Sequence, residues 1–110
     1  MIRLALAAML VAASAASVDA AGYDGKWVVE FDTQVGSCEH SFDAPLEVVN
    51  GKVAAPDATG FIAPDGLTSL SIKRGADIFR AQGSVKGGAG AGVWSSNTAY
   101  CGGRWKLIRR

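Results

Sequence analysis

From Lys26 to Thr33 the chain alternates, with Trp27, Val29, Phe31 and Thr33 on one side and Lys26, Val28, Glu30 and Asp32 on the other. A period of two is what a strand with one buried face requires. The same period returns from Arg104 to Arg109, where Trp105 and Leu107 turn inward and Arg104 and Lys106 outward.

Between these ends the turns can be read from their residues. Asn50-Gly51 tolerates the two positive φ angles of a type I′ hairpin. Pairing Val49 with Lys52 sets Val48 opposite Val53 and puts Leu46, Val48, Val53 and Ala55 on one face, so turn and hydrophobic pattern agree on register. Ala63-Pro64-Asp65-Gly66-Leu67 is a second turn, joining a short strand near Phe61 to another from Leu67 to Lys73. Next, a loop of residues 74–77 sets Ile72 opposite Phe79 and Leu70 opposite Ala81.

The run from Gly83 to Trp94 is rich in glycine but has neither the G-x-G-x-x-G spacing nor the Gly-Lys-Ser/Thr ending of a nucleotide-binding loop. It reads as a hairpin. Gly90 and Gly92 share a face with Trp94 and are expected to clear space there for a bulky neighbour.

The pattern predicts an all-β protein: a small antiparallel up-and-down meander or barrel of about eight short strands, with one disulfide. In an eight-strand up-and-down order the first and last strands are antiparallel. The end of the first and the start of the last then share a rim, where Cys38 and Cys101 fall, and this favours closure. Closure would also bring Glu30 and Asp32 to face Arg104 and Lys106, predicting cross-strand ion pairs.

The N-terminal segment is different in kind. Arg3, the apolar run from Leu4 to Ala16 and the small residues around Val18-Asp19-Ala20 read as a signal peptide over residues 1–20, leaving residues 21–110 as a single β-barrel-like domain. The run falls short of the ~20 residues of a membrane span, so no stable membrane anchor is expected and the location is periplasmic or secreted. In an oxidising compartment the two cysteines, Cys38 and Cys101, are expected to pair. Closing so long a loop stabilises by about 4 kcal/mol on the chain-entropy view. The formal net charge of +1 gives no overall attraction to nucleic acid.

Candidate chemistry is sparse. Cys38-Glu39-His40-Ser41-Phe42-Asp43 is the one polar cluster, and His40 is the only histidine. It is a weak metal-ligand candidate because no second imidazole exists, so no metal and no cofactor are expected. No nucleophile elbow, Cys/His pair or C-x-x-C spacing is present, and a non-enzymatic protein is expected. Trp27, Trp94 and Trp105 are either filled core or the lining of a pocket in the barrel mouth, with core favoured because eight short strands enclose little more than their own side chains. The loops from Gly36 to Asp43 and from Asn97 to Tyr100 share a rim, and Glu39, His40, Phe42 and Tyr100 are its candidate interaction residues.

Gly25-Lys26-Trp27 opening the first strand, a cysteine soon after it, Gly92-Val93-Trp94-Ser95 and the closing Cys101-Gly102-Gly103-Arg104-Trp105 resemble a group of small exported glycine-rich β proteins of alphaproteobacteria, some of them associated with haem utilisation or adhesion. The likeness spans residues 21–110. A looser similarity links the Gly-x-Trp strand to lipocalin-like and avidin-like small barrels, including periplasmic protease inhibitors. Haem binding would have only His40, Tyr23 and Tyr100 as ordinary axial ligands. Together these observations point to an exported binding module engaging a protein partner through its rim loops, the alternative being a small-ligand, haem or metal-binding periplasmic protein.

Overall fold

A computed structural model describes residues 22–110, so the expected signal peptide lies outside the described residues. Eight antiparallel strands close into an up-and-down barrel: β1 (Gly25–Val35), β2 (Ser41–Val49), β3 (Lys52–Ala54), β4 (Ala58–Ile62), β5 (Leu67–Arg74), β6 (Asp77–Lys86), β7 (Ala89–Ser96) and β8 (Cys101–Arg109). β8 returns to pair with β1, so neither the first nor the last strand is left as a free edge.

The register follows from turn chemistry. Asn50 at φ 54° and Gly51 at φ 77° make the tight turn that sets Val49 against Lys52 and Val48 against Val53. Ile72 lies opposite Phe79 and Leu70 opposite Ala81, as the alternation requires. Pairing runs on to Arg74 and Asp77, so only Gly75 and Ala76 remain as loop where residues 74–77 were expected. Glu30 and Asp32 do lie opposite Lys106 and Arg104. They do not close to ion-pair distance; among the described residues only Glu39 and Arg74 do so, at 2.9 Å.

The interior is filled. Trp27, Val29, Phe31, Trp105 and Leu107 are 0–1 % exposed, and Leu46, Val48, Leu70, Ile72, Phe79, Val85 and Trp94 complete the buried cluster. Each indole N–H meets a backbone carbonyl: Trp27 donates to Tyr23 (2.8 Å), Trp94 to Asp32 (3.2 Å), and Trp105 to both Gln82 (3.1 Å) and Val93 (3.0 Å). A buried indole left without an acceptor would carry the desolvation cost of its N–H.

The bulky neighbour for which the glycines make room is Trp105. Gly92 lies directly opposite Trp105, and a side chain on Gly83 would meet the Trp105 ring. Trp94 instead lies opposite Gly103. The alternation fixes which face a residue takes, but the stagger between strands decides which ring crosses which glycine.

The lower end is closed by the chain's own start. Asp24 accepts the N–H groups of Asn50 (2.9 Å) and Gly51 (3.1 Å), tying the N-terminal segment to the β2–β3 turn. Arg109 donates to the carbonyls of Gly22 and Asp24 and lays its guanidinium 4.3 Å from the centre of the Trp27 ring.

β2 is covered unevenly. β3 pairs only with Glu47 to Val49, so the stretch from Ser41 to Leu46 has β1 as its one strand neighbour. Thr33 N–H donates to His40 C=O at 2.9 Å, which turns the backbone groups of even-numbered β2 residues toward β1. Asp43 and Pro45 therefore present theirs to the uncovered side. Proline there offers no N–H, and a charge beside it discourages strand addition.

Candidate functional site

The upper rim gathers the β1–β2 connection (residues 36–40) and the β7–β8 connection (residues 97–100) around the Cys38–Cys101 disulfide, whose Cα atoms are 6.0 Å apart. Gly36, at φ 89°, brings the two connections backbone to backbone: a Cβ there would collide with the Tyr100 carbonyl and with Cys101. Only glycine fits.

The β7–β8 connection is held by a hydroxyl relay. Ser96, 5 % exposed, accepts the Ala99 N–H at 3.1 Å and lies 3.1 Å from the Thr98 hydroxyl, which accepts the Ile78 N–H at 3.0 Å. Tyr100 N–H donates to Ser96 C=O at 3.0 Å. This small framework fixes Tyr100 in a left-handed backbone conformation, φ 56°, with the residue 82 % exposed. A bulky residue in that conformation costs about 1–2 kcal/mol and persists only where its surroundings impose it.

The other rim residues divide into two groups. Glu39 pairs with Arg74 across the mouth, and the Arg74 guanidinium sits 4.3 Å above the centre of the Phe42 ring. Phe42 is half-buried rather than free: its ring stacks on Phe31 at 4.8 Å, meets Phe79 at a tilt at 5.2 Å and meets Trp94 edge-on at 5.8 Å. It stoppers the barrel mouth. Phe42 is thus a core contact and not a free rim residue, because the alternation Ser41-Phe42-Asp43-Ala44 turns it inward. Arg74 was missed, because its meeting with Glu39 depends on how the closed barrel staggers its strands.

His40 is exposed beside Glu39, and its carbonyl is used by Thr33. Among the described residues no three His, Cys, Asp or Glu side chains gather as a metal ligand set. The possible haem ligands are not brought together either: His40 and Tyr100 belong to the upper rim, whereas Tyr23 lies at the opposite end and packs against the core. Trp27, Trp94 and Trp105 are buried in the barrel. The arrangement thus presents an exposed tyrosine and an exposed imidazole on two disulfide-tied loops, with Glu39 of one loop bridged to Arg74 at the end of β5. No protein-family model matches this chain, and no curated protein matches it.

Proposed function

We propose that the protein is a non-enzymatic interaction module that engages a protein partner through its upper rim. The observation that supports this most directly is Tyr100: a large amphipathic side chain, 82 % exposed, in a strained backbone conformation beside a disulfide. Tyrosines anchor protein interfaces because they offer much contact area for little loss of rotamer freedom. Glu39, Arg74 and His40 supply a polar surround of the kind that rims such anchors. The filled interior supports a reading in which binding uses the outer surface, since Trp27, Trp94 and Trp105 are buried.

The test is affinity capture from envelope extract with the disulfide-bonded protein, beside Tyr100→Ala and His40→Ala. A partner held by the native protein, lost with Tyr100→Ala at unchanged melting temperature and then bound as a purified protein, supports the reading. Equal capture by all three proteins refutes it. Titration with haem and with Zn²⁺ tests the alternative, for which a spectral change abolished by His40→Ala would be the positive result.

A further inference from the structure

The net charge of +1 hides a sorting of charge around the barrel. The outward positions of β1 and β2 carry Glu30, Asp32, Asp43 and Glu47, with Lys26 the one cation among them. The outward positions of β5 to β8 carry Lys73, Arg80, Lys86, Arg104 and Lys106, all exposed, and no acid.

The shape of this basic wall is set by β7, which runs through its middle. Its outward residues are Ala89, Ala91, Val93 and Ser95, small beside their neighbours. Gln82, Val93 and Arg104 stand in one row across β6, β7 and β8, and Ser84, Ala91 and Lys106 in the next. Arg80 stands one row above the first of these, in line with Ser95 and Gly102, and Lys86 one row below the second, in line with Ala89 and Ile108, so each β6 cation is about 12 Å from the nearest β8 cation, across a low floor. At its upper end the floor meets a hollow of about 90 Å³ lined by Ile78, Arg80, Ser95, Asn97 and Thr98. That lining joins a guanidinium to hydroxyl and amide groups, a donor set that suits one carboxylate or sulfate group.

We propose that this trough binds an acidic polysaccharide, with one charged substituent of the glycan seated against Arg80 in the hollow. A linear polyanion is favoured because the outward positions of β5 to β8 carry no acid, the acids opposite Arg104 and Lys106 lying on β1, beyond the edge of the trough. A glycan is favoured over a single-stranded nucleic acid because no aromatic residue occupies an outward position on β5 to β8 for bases to stack on. A membrane surface is disfavoured by the absence of an apolar wedge, since the exposed Leu67, Val93 and Ile108 stand on different strands and in different rows. The site lies on the barrel wall and does not depend on Tyr100.

The experiment is titration of the disulfide-bonded protein with polygalacturonate of defined length. Neutral dextran, polyphosphate, single-stranded DNA and phosphatidylglycerol vesicles are run alongside at low and physiological salt. Binding of polygalacturonate in preference to all four is expected. Arg80→Glu should weaken it by about ten-fold or more, the loss of one charge-assisted contact. Lys106→Glu should weaken it further, whereas Lys26→Glu and Tyr100→Ala should leave it unchanged, with melting temperature steady throughout. Absence of polygalacturonate binding overturns the proposal. So does equal binding of polyphosphate, DNA or vesicles, or equal weakening by Lys26→Glu.

Discussion

The ring of Trp105 occupies the place where a side chain on Gly83 would stand: its Cζ2 atom lies 2.7 Å from the position a Gly83 Cβ would take. The ring's N–H ends between the carbonyls of Gln82 and Val93, so the indole bridges β8 to β6 across Gly92 on β7. Gly83→Ala must then displace either a fully buried ring or the strand beneath it. Overpacking of this kind costs about 1–3 kcal/mol, and each kcal/mol lowers the melting temperature of so small a domain by roughly 4–8 °C. Calorimetry should show that loss for Gly83→Ala, while Gly88→Ala, whose Cβ would meet nothing within 4 Å, should melt close to the native temperature.

The disulfide joins residues 63 apart in sequence, from the β1–β2 connection to the first residue of β8. It pins the strands whose pairing closes the barrel. Replacing both cysteines by serine should remove about 4 kcal/mol, read as a lower urea midpoint. A midpoint within error of the native one would mean that β1 and β8 hold together without the bridge.

Much of this architecture is legible in the sequence because it depends on local rules. Alternation fixed the inward faces of β1 and β8, and Asn50-Gly51 fixed the β2–β3 register by turn geometry alone. What escaped depends on stagger around a closed sheet: that the bulky neighbour over the glycines is Trp105, and that Glu39 meets Arg74 from 35 residues away. The sorting of charge escaped for a related reason. A net charge is a sum, whereas the acid-free wall appears only when β5 to β8 lie side by side.

Arg74 links two roles that mutation should separate. Its pairing with Glu39 is between exposed groups, and such pairs contribute about 0–1 kcal/mol, so Glu39→Ala should barely move the unfolding midpoint. Phe42 is different, because its ring seals the cluster of Phe31, Phe79 and Trp94. For a half-buried ring, Phe42→Ala should cost roughly half of the 3–5 kcal/mol of a fully buried one. Equal effects from the two variants would show the ion pair, not the ring, to be the stopper.

Pro45 guards the uncovered side of β2. Pro45→Val would restore an N–H facing away from β1 and introduce a strong strand former, making that stretch adhesive. Light scattering should detect concentration-dependent self-association in Pro45→Val and none in the native protein. A monodisperse variant would mean that the Arg74 and Phe42 contacts already shield this edge.

Tyr100 sets stability against binding, which makes it the sharpest test of the proposed rim. At φ 56° a tyrosine carries a conformational cost of about 1–2 kcal/mol that glycine escapes. Glycine's greater freedom in the unfolded chain offsets about 0.5–1 kcal/mol of that gain. Tyr100→Gly should therefore leave stability unchanged or raise it by up to about 1.5 kcal/mol, since the 82 % exposed ring gives up almost no packing. If the ring anchors a partner, the same substitution should remove binding. Tyr100→Phe, which keeps the backbone strain and the apolar face, should retain most of it. Paired thermal melts and binding titrations of the two variants decide the matter: a more stable Tyr100→Gly that binds as well as the native protein would leave the strained tyrosine without the role assigned to it.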